Sequence, residues 1–304
     1  MPHDLLLIAL PFALTASLAE AVVLNRRQPG RYDWKAMGLS ILDQLGRQAL
    51  VLLPLSLAAP VFALAWSHRL ATITLGGAWS VLLLFVGMEF CYYWYHRAAH
   101  RVRWFWLTHR VHHSPNQLNL SAAYRLGWMG RITGSQLFFT PLAWLGFTPR
   151  LVLTTLALNL LYQFWLHATW IPRLGWLEYV LNTPSSHRVH HGANLEYLDA
   201  NYGGVLIVFD RLFGTYVAER DDVPCRYGLV HPATGYNVLR LEFAPWAELA
   251  RDLRGARSPR EWFGYLFAPP GWRPNGKGET TEDLRRLHGM QTAPEATPMP
   301  AFGD

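Results

Sequence analysis

Five long apolar runs, separated by short basic or prolyl segments, dominate the first 170 or so residues. They are Leu5–Leu24, interrupted by Glu20; Ala49–Trp66, with Pro54 and Pro60; Leu70–Tyr95, interrupted only by Glu89; and the charge-free Ile132–Thr148 and Leu151–Ala168. Each approaches the ~20 apolar residues of a membrane-crossing helix, and prolines are tolerated in such helices. Thr148-Pro149-Arg150 forms a natural hairpin tip between the last two. The pattern predicts an all-α, integral membrane helical bundle of about four to five membrane helices. A buried helix of a large soluble protein accounts for one such run, not for five.

The first run lacks the basic leader of a signal peptide, since Arg26 and Arg27 follow it, and it reads as a retained helix. Arg26, Arg27, Arg31, Lys35 and Arg47 follow the first run; Arg97, Arg101, Arg103 and Arg110 follow the third. The positive-inside rule places both groups in the cytoplasm, with the Ser67–Arg69 turn and Arg150 outside. Three parts are expected: N-terminal membrane helices over 1–70, a catalytic domain over 71–217, and a cytoplasmic C-terminal extension over 218–304. Proline, glycine and charge suggest a disordered tail from about residue 276.

Composition supports this reading. The 304 residues are 51% apolar and 16% charged, against roughly 25% charged in an average soluble domain. Two cysteines, Cys91 and Cys225, exclude a disulfide scaffold, and no Cys-x-x-Cys pair is present. The net charge of +6 is scattered among apolar runs, so a membrane surface rather than nucleic acid is the expected counter-charge.

Nine of the 13 histidines form a pattern. His96 and His100 are four apart. His109, His112 and His113 form a His-x2-His-His group, and His187, His190 and His191 form a second, inside identical His-Arg-Val-His-His strings. His167 ends the last apolar run. Positions i, i+3 and i+4 lie on one side of a helix, so each group is expected to project two or three imidazoles at a common point. Imidazole is the commonest metal ligand near neutral pH. Nine exceed the needs of one four-coordinate zinc and suit two metals with four or five ligands each. All four groups fall on the cytoplasmic side, as a histidine-rich helical cap. Haem would use only one or two of them, and no His-Glu-x-x-His zinc-protease motif occurs. Ligand type alone leaves iron, zinc, copper and nickel open. His3, His68, His231 and His288 read as ordinary histidines.

The strings Glu89-Phe-Cys-Tyr-Tyr-Trp-Tyr-His-Arg-Ala-Ala-His, Thr108-His-Arg-Val-His-His-Ser, Asn182-Thr-Pro-Ser-Ser-His-Arg-Val-His-His-Gly and Asn201-Tyr-Gly-Gly-Val-Leu-Ile-Val-Phe-Asp-Arg-Leu-Phe-Gly-Thr resemble the fatty acid hydroxylase (sterol desaturase) superfamily. Leu161-Tyr-Gln-Phe-Trp-Leu-His, Tyr227-Gly-Leu-Val-His-Pro and Pro270-Gly-Trp-Arg-Pro resemble its alkylglycerol monooxygenase branch. The likeness covers roughly residues 80 to 275. Ser186 stands where that branch often carries a further histidine.

The resemblance implies a membrane-bound di-iron oxygenase that hydroxylates a C–H bond of a lipid with O2 and two external electrons. The donor would be a reduced pterin or a separate redox protein; no Rossmann glycine fingerprint points to a bound nicotinamide. The nine histidines are then the iron ligands. Glu89, Asn194, Asp199 and Asp210 are candidates to orient them, with Glu89 and Asp210 the expected catalytic carboxylates. Glu89 lies two helical turns before His96, and a carboxylate inside a membrane run by default suggests function. It could instead partner Arg97 or a tyrosine hydroxyl, and Asp210 could simply close a turn before Gly214. The Arg97, Arg101, Arg103 and Arg110 group either grips a lipid phosphate or anchors topology. Tyr92, Tyr93, Trp94, Tyr95, Trp104 and Trp106 read as interfacial packing. A desaturase on the same cage and a non-enzymatic membrane metal-binding protein are the alternatives. Transporters place ionisable residues near the bilayer midplane, whereas these histidines gather at one end.

Overall fold

The computed structural model describes residues 2–53 and 56–291 and is all-helical, with no strand among them. Helix α1 (Pro2–Arg27) is followed by α2 (Trp34–Val51), whose first turn is capped by Asp33 accepting from Ala36 N at 2.9 Å. Helix α3 (Ala58–Ser67) leads to α4 (Ala78–Arg101). A single extended residue, Val102 (φ −122°, ψ 117°), reverses the chain into α5 (Arg103–His112). That reversal turns the histidines of α5 back toward those at the end of α4.

Short helices α6 (Gly130–Thr133) and α7 (Thr140–Leu145) precede α8 (Pro149–Tyr162), which starts on a Thr148 cap with Pro149 in its first turn. Helix α9 (Pro184–His190) carries the second histidine string. Helices α10 (Val208–Leu212), α11 (Val238–Gly255), α12 (Pro259–Phe267) and α13 (Thr281–Leu287) complete the chain.

Helices α3, α4, α7 and α8 share one apolar core, with Phe62, Leu84, Met88, Phe139, Leu142, Phe147 and Val152 at its centre. A second, around Leu107, Leu249, Tyr265 and Leu266, fastens the C-terminal helices to α5.

The apolar runs and the helices do not coincide. Among the described residues one helix, Ile8–Arg27, is long and apolar enough to cross a membrane. The Ala49–Trp66 run is divided between α2 and α3 around a segment that includes Pro54, which lies outside the described residues. In the third run, residues 70–77 are not helical, donating from Leu70 N to Trp144 O and from Ile73 N to Gly146 O, so α4 starts only at Ala78. The fourth is broken by left-handed Gly134 (φ 80°) and by Gly146, where a Cβ would stand 2.4 Å from Ala71 O. The fifth supplies all but the first two of the 14 residues of α8, a helix of about 21 Å at 1.5 Å per residue. Large apolar side chains nevertheless remain exposed along α1, α3 and the first half of α4, including Ile8, Phe12, Leu64, Trp79, Leu82 and Val86.

The expected disordered tail is ordered through residue 291. Helix α13 has a reciprocal Thr280–Asp283 capping box. Its Arg285 is buried and donates to Leu195 O (2.9 Å) and Leu198 O (2.7 Å). Residues 292–304 of that tail lie outside the described residues.

Candidate metal centre

All nine motif histidines converge, in two adjacent groups. One comprises His96, His100, His109, His113 and His190; the other His112, His167, His187 and His191; within each, the ligand atoms lie within 4.8 Å of one another. The two His-x2-His-His strings are exchanged. Each gives its first and last histidine to one group and its middle histidine to the other. Helical geometry explains this: at about 100° per residue, i and i+4 are about 40° apart, whereas i+3 falls about 60° to the other side. Each string thus places two imidazoles at a common point and sends its third to the other group. Both helices end alike, with His113 and His191 each at φ −82°, ψ −1°. The two groups meet at these rings, 4.3 Å apart and stacked.

Proton positions show what the groups are built for. The Nδ1 atoms of His96, His112, His167 and His190 lie 2.9, 3.1, 3.0 and 3.0 Å from the carbonyls of Tyr202, Arg125, Gln163 and Ala200. A carbonyl only accepts, so each Nδ1 carries the hydrogen and each Nε2 presents a bare lone pair. His112 and His167 aim two such lone pairs at each other across 3.4 Å. That of His190 has no protein partner at all. No proton is available to join them, so a cation is the partner these atoms fit.

Other Nε2 separations are 3.0 Å for His96–His109, 3.2 Å for His109–His113, 3.2 Å for His167–His187 and 3.1 Å for His187–His191. Nitrogens about 2.0–2.1 Å from a shared ion stand about 2.8–3.4 Å apart in octahedral or tetrahedral geometry. Position 186 is not required by either group. Ser186 is buried in α9, its carbonyl accepting from Asn201 Nδ2 at 3.0 Å.

Burial keeps these rings neutral. It holds His96, His100, His109, His113, His187 and His191 well below the ordinary 6.5, and pulls His112 down to about 4 and His190 to about 3. An unfolded chain binds protons below 6.5 that the folded chain refuses, so stability is retained above that pH and lost as pH falls through it. Each such imidazole contributes up to about 1.4 kcal/mol per pH unit. Thermal unfolding of the metal-depleted protein is expected to have a constant midpoint between about pH 8 and 7 and a steeply falling one below about 6.5. A midpoint unchanged down to about pH 5 contradicts this.

The ring-orienting partners are mainly backbone carbonyls, a correction to the expected carboxylates. Ala200 O and Tyr202 O come from one loop, turned by left-handed Asp199 and Asn201 (both φ 58°). Asparagine tolerates that conformation. Asn201, fully buried, is fixed by Ser186 O, Val217 O and Val217 N. Asp210 clamps the same loop, accepting from Tyr202 N, Gly203 N and Thr215 Oγ1, each at 2.7 Å. Asp210 is thus a positioning residue that touches no ring. Asp199 Oδ1 is 3.8 Å from His100 Nδ1. Asn194 serves Pro224 O and Arg226 N, away from the imidazoles.

Glu89 also contacts no histidine. It accepts from Val205 N (2.8 Å), Leu206 N (2.9 Å) and Asn159 Nδ2 (2.6 Å). From Asn159 the chain of bonds continues to Gln163 and on to the Tyr92 hydroxyl, and the Gln163 carbonyl meets His167. Gly204 permits this approach, since a Cβ there would stand 2.4 Å from Asn159 Nδ2. The network sets α8 against α4 and thereby delivers His167.

The arginine group, read as either gripping a lipid phosphate or anchoring topology, is engaged within the protein. Arg101 pairs with Asp199 and Glu282, Arg103 with Asp252, and Arg110 with Glu248; Arg97 donates to the Tyr93 hydroxyl. The sequence reading missed Arg125, Asn201 and Tyr202. A lone arginine between apolar residues was the available signal for Arg125, which is buried and bonded to Ser40, Ser114 and Ala36.

Cavities reach the histidines from two sides. An inner apolar chamber of about 160 Å³ touches His109 and His112, one from each group, and shares Arg47, Leu126 and Leu160 as lining with an outer chamber of about 310 Å³ against α1. A separate cavity of about 200 Å³, under the C-terminal helices, touches His100, His113 and His190. Tyr92 and Tyr95 line the first and Trp106 the last, so part of the aromatic stripe lines the site.

Fold and site together define an all-helical protein whose buried histidines are arranged to hold metal ions. Residues 81–215, which include all nine histidines, match the family model described as fatty acid hydroxylase. The chain is 38% identical over 272 residues to the alkylglycerol monooxygenase of Homo sapiens, covering 88% of this chain and 59% of that protein. It is 41% identical over 197 residues to that of Danio rerio, covering 65% and 43%. It is 32% identical over 139 residues to the ornithine lipid hydroxylase OlsE of Rhizobium tropici, covering 46% and 42%. The chain therefore spans about half the length of these relatives. No solved structure matches it significantly.

Proposed function

We propose that the chain is a membrane-bound, non-haem di-iron oxygenase that hydroxylates a C–H bond of a lipid, using O2 and two electrons from a reduced pterin or a separate redox protein. The observation that carries this reading is the pair of buried imidazole groups, their lone pairs converging without a proton to share, at the end of an apolar cavity. The relatives' printed activities, monooxygenase and lipid hydroxylase, support a redox-active metal over zinc and a lipid over other substrates.

His96, His100, His109, His113 and His190 would hold one iron, and His112, His167, His187 and His191 the other. The irons would supply reductive activation of dioxygen and oxygen insertion; the protein supplies binding, orientation and a dry site. The carbonyls of Tyr202, Arg125, Gln163 and Ala200 fix ring orientation, while Asp210 and Glu89 brace the backbone that carries them. The apolar chambers take the lipid chain and exclude water from it.

The exposed apolar faces of α1, α3 and α4 are the proposed bilayer contact. Residues 1–70 would form the N-terminal membrane part, 71–217 the catalytic unit and 218–304 an extension. The chain would be multi-pass, with the histidines on the cytoplasmic side, where the basic residues after the first and third runs gather.

The test is iron-loaded protein in bilayers of its host's lipid, supplied with reductant and isotopically labelled dioxygen. One labelled oxygen atom per product lipid is expected. A product two hydrogens lighter with no added oxygen identifies a desaturase instead, and no dioxygen-dependent change refutes the enzymatic reading.

A further inference from the structure

Arg47 occupies an unusual place. Its half-buried side chain lines both apolar chambers, and among the described residues it is the only charged one lining the outer chamber. Desolvated cations in proteins are normally paired, and the other arginines around the site obey this. Arg101, Arg103 and Arg188 have carboxylates, and Arg125 has hydroxyl and carbonyl acceptors. Among the described residues Arg47 has neither an ion pair nor a hydrogen bond. The carboxylate one turn before it, Asp43, uses Oδ2 to accept from Leu126 N at 3.0 Å; its charge acts on Arg47 from beyond hydrogen-bond distance, leaving the guanidinium N–H groups without an acceptor. Beside it Gln44, 7% exposed, lines the outer chamber with its side-chain amide unpartnered, so the amide is free to turn and present its NH2 as a donor. An open guanidinium next to an idle amide, in a passage otherwise walled by Leu10, Phe12, Leu126, Leu160 and Phe164, matches an oxyanion attached to an alkyl chain.

We propose that Arg47 is a substrate-recognition residue that binds the carboxylate or phosphate oxygens of a single-chain amphiphile, with Gln44 donating to a second oxygen and the chain lying in the apolar chambers. Guanidinium suits both anions because its N–H groups fork onto two oxygens. The inference deepens the lipid-oxygenase reading and rests on a lipid occupying these chambers.

It is tested by equilibrium binding of the fluorescent fatty acid cis-parinarate to the purified full chain in a neutral detergent, with empty micelles subtracted. Displacement by dodecyl phosphate, dodecanol and inorganic phosphate is followed, and iron is measured in the same samples. Arg47→Met is expected to weaken cis-parinarate and dodecyl phosphate at least about 10-fold and dodecanol less than about 2-fold. Arg47→Lys, which keeps the charge and guards against a folding defect, is expected to lose only about 3-fold, and Gln44→Leu about 3-fold for dodecyl phosphate alone. Equal affinity of wild type and Arg47→Met for cis-parinarate overturns the proposal. So does displacement by inorganic phosphate as effective as by dodecyl phosphate, which makes this a plain anion site. If the anions lose affinity no more than dodecanol does while iron is retained, only the Arg47 assignment fails. If no amphiphile binds at all, the lipid reading fails with it.

Discussion

Alanine in place of His190 is expected to strip one of two metals and to abolish activity. His190 leaves its own string to complete the group of His96, His100, His109 and His113, so its loss leaves His112, His167, His187 and His191 whole. Metal content is expected to fall from about two to about one per chain. Turnover should fall by more than about 100-fold, since even outer partners of metal ligands cost 10- to 100-fold. His112→Ala, the mirror substitution, should empty the other group. His68, an exposed residue at the end of α3 bonded to Ser67, is the control whose replacement changes neither quantity. Elemental analysis and turnover on the same preparations check this, and His190→Ala protein that keeps both metals contradicts the exchanged arrangement.

The second large effect is expected at Glu89. Glu89→Leu leaves the amides of Val205, Leu206 and Asn159 facing an apolar side chain. Breaking a buried charged group's bonds in this way costs about 3–5 kcal/mol, and the resulting slip of α8 withdraws His167. Lower thermal stability and reduced metal loading should appear together. Glu89→Gln should be far milder. The glutamine oxygen can accept both backbone amides, while its NH2 donates to a flipped Asn159 and Gln163 flips in turn toward Tyr92. A glutamate that moved protons in the reaction would instead lose about 100- to 10,000-fold on conversion to glutamine. Activity of Glu89→Gln within about 10-fold of wild type is expected, and a loss above 100-fold with intact metal assigns Glu89 to the chemistry.

Much of the site was legible in the sequence because helical spacing is local. His-x3-His and His-x2-His-His say that rings cluster wherever those segments are helical, and the structure gathers all nine. The exchange between strings was not anticipated, although the 100° step per residue contains it. What surrounds the rings was less legible. Side-chain carboxylates are visible in a sequence, whereas the Ala200 and Tyr202 carbonyls are backbone atoms aimed by two left-handed residues. The ion pairs of the arginine group were not legible because its partners lie far along the chain: Asp199, Asp252 and Glu282 are 98, 149 and 181 residues from Arg101 or Arg103. Hydropathy located apolar matter but not its breaks, since Gly146 reads as apolar while it ends a helix to let residues 70–73 pass.

The central claim is that two all-imidazole groups each hold an iron. It is tested most directly by metal content per chain on protein extracted from membranes of an iron-supplemented culture in mild detergent. About two irons per chain are predicted. A chain that retains no metal, even after anaerobic reconstitution with ferrous ion, contradicts the account.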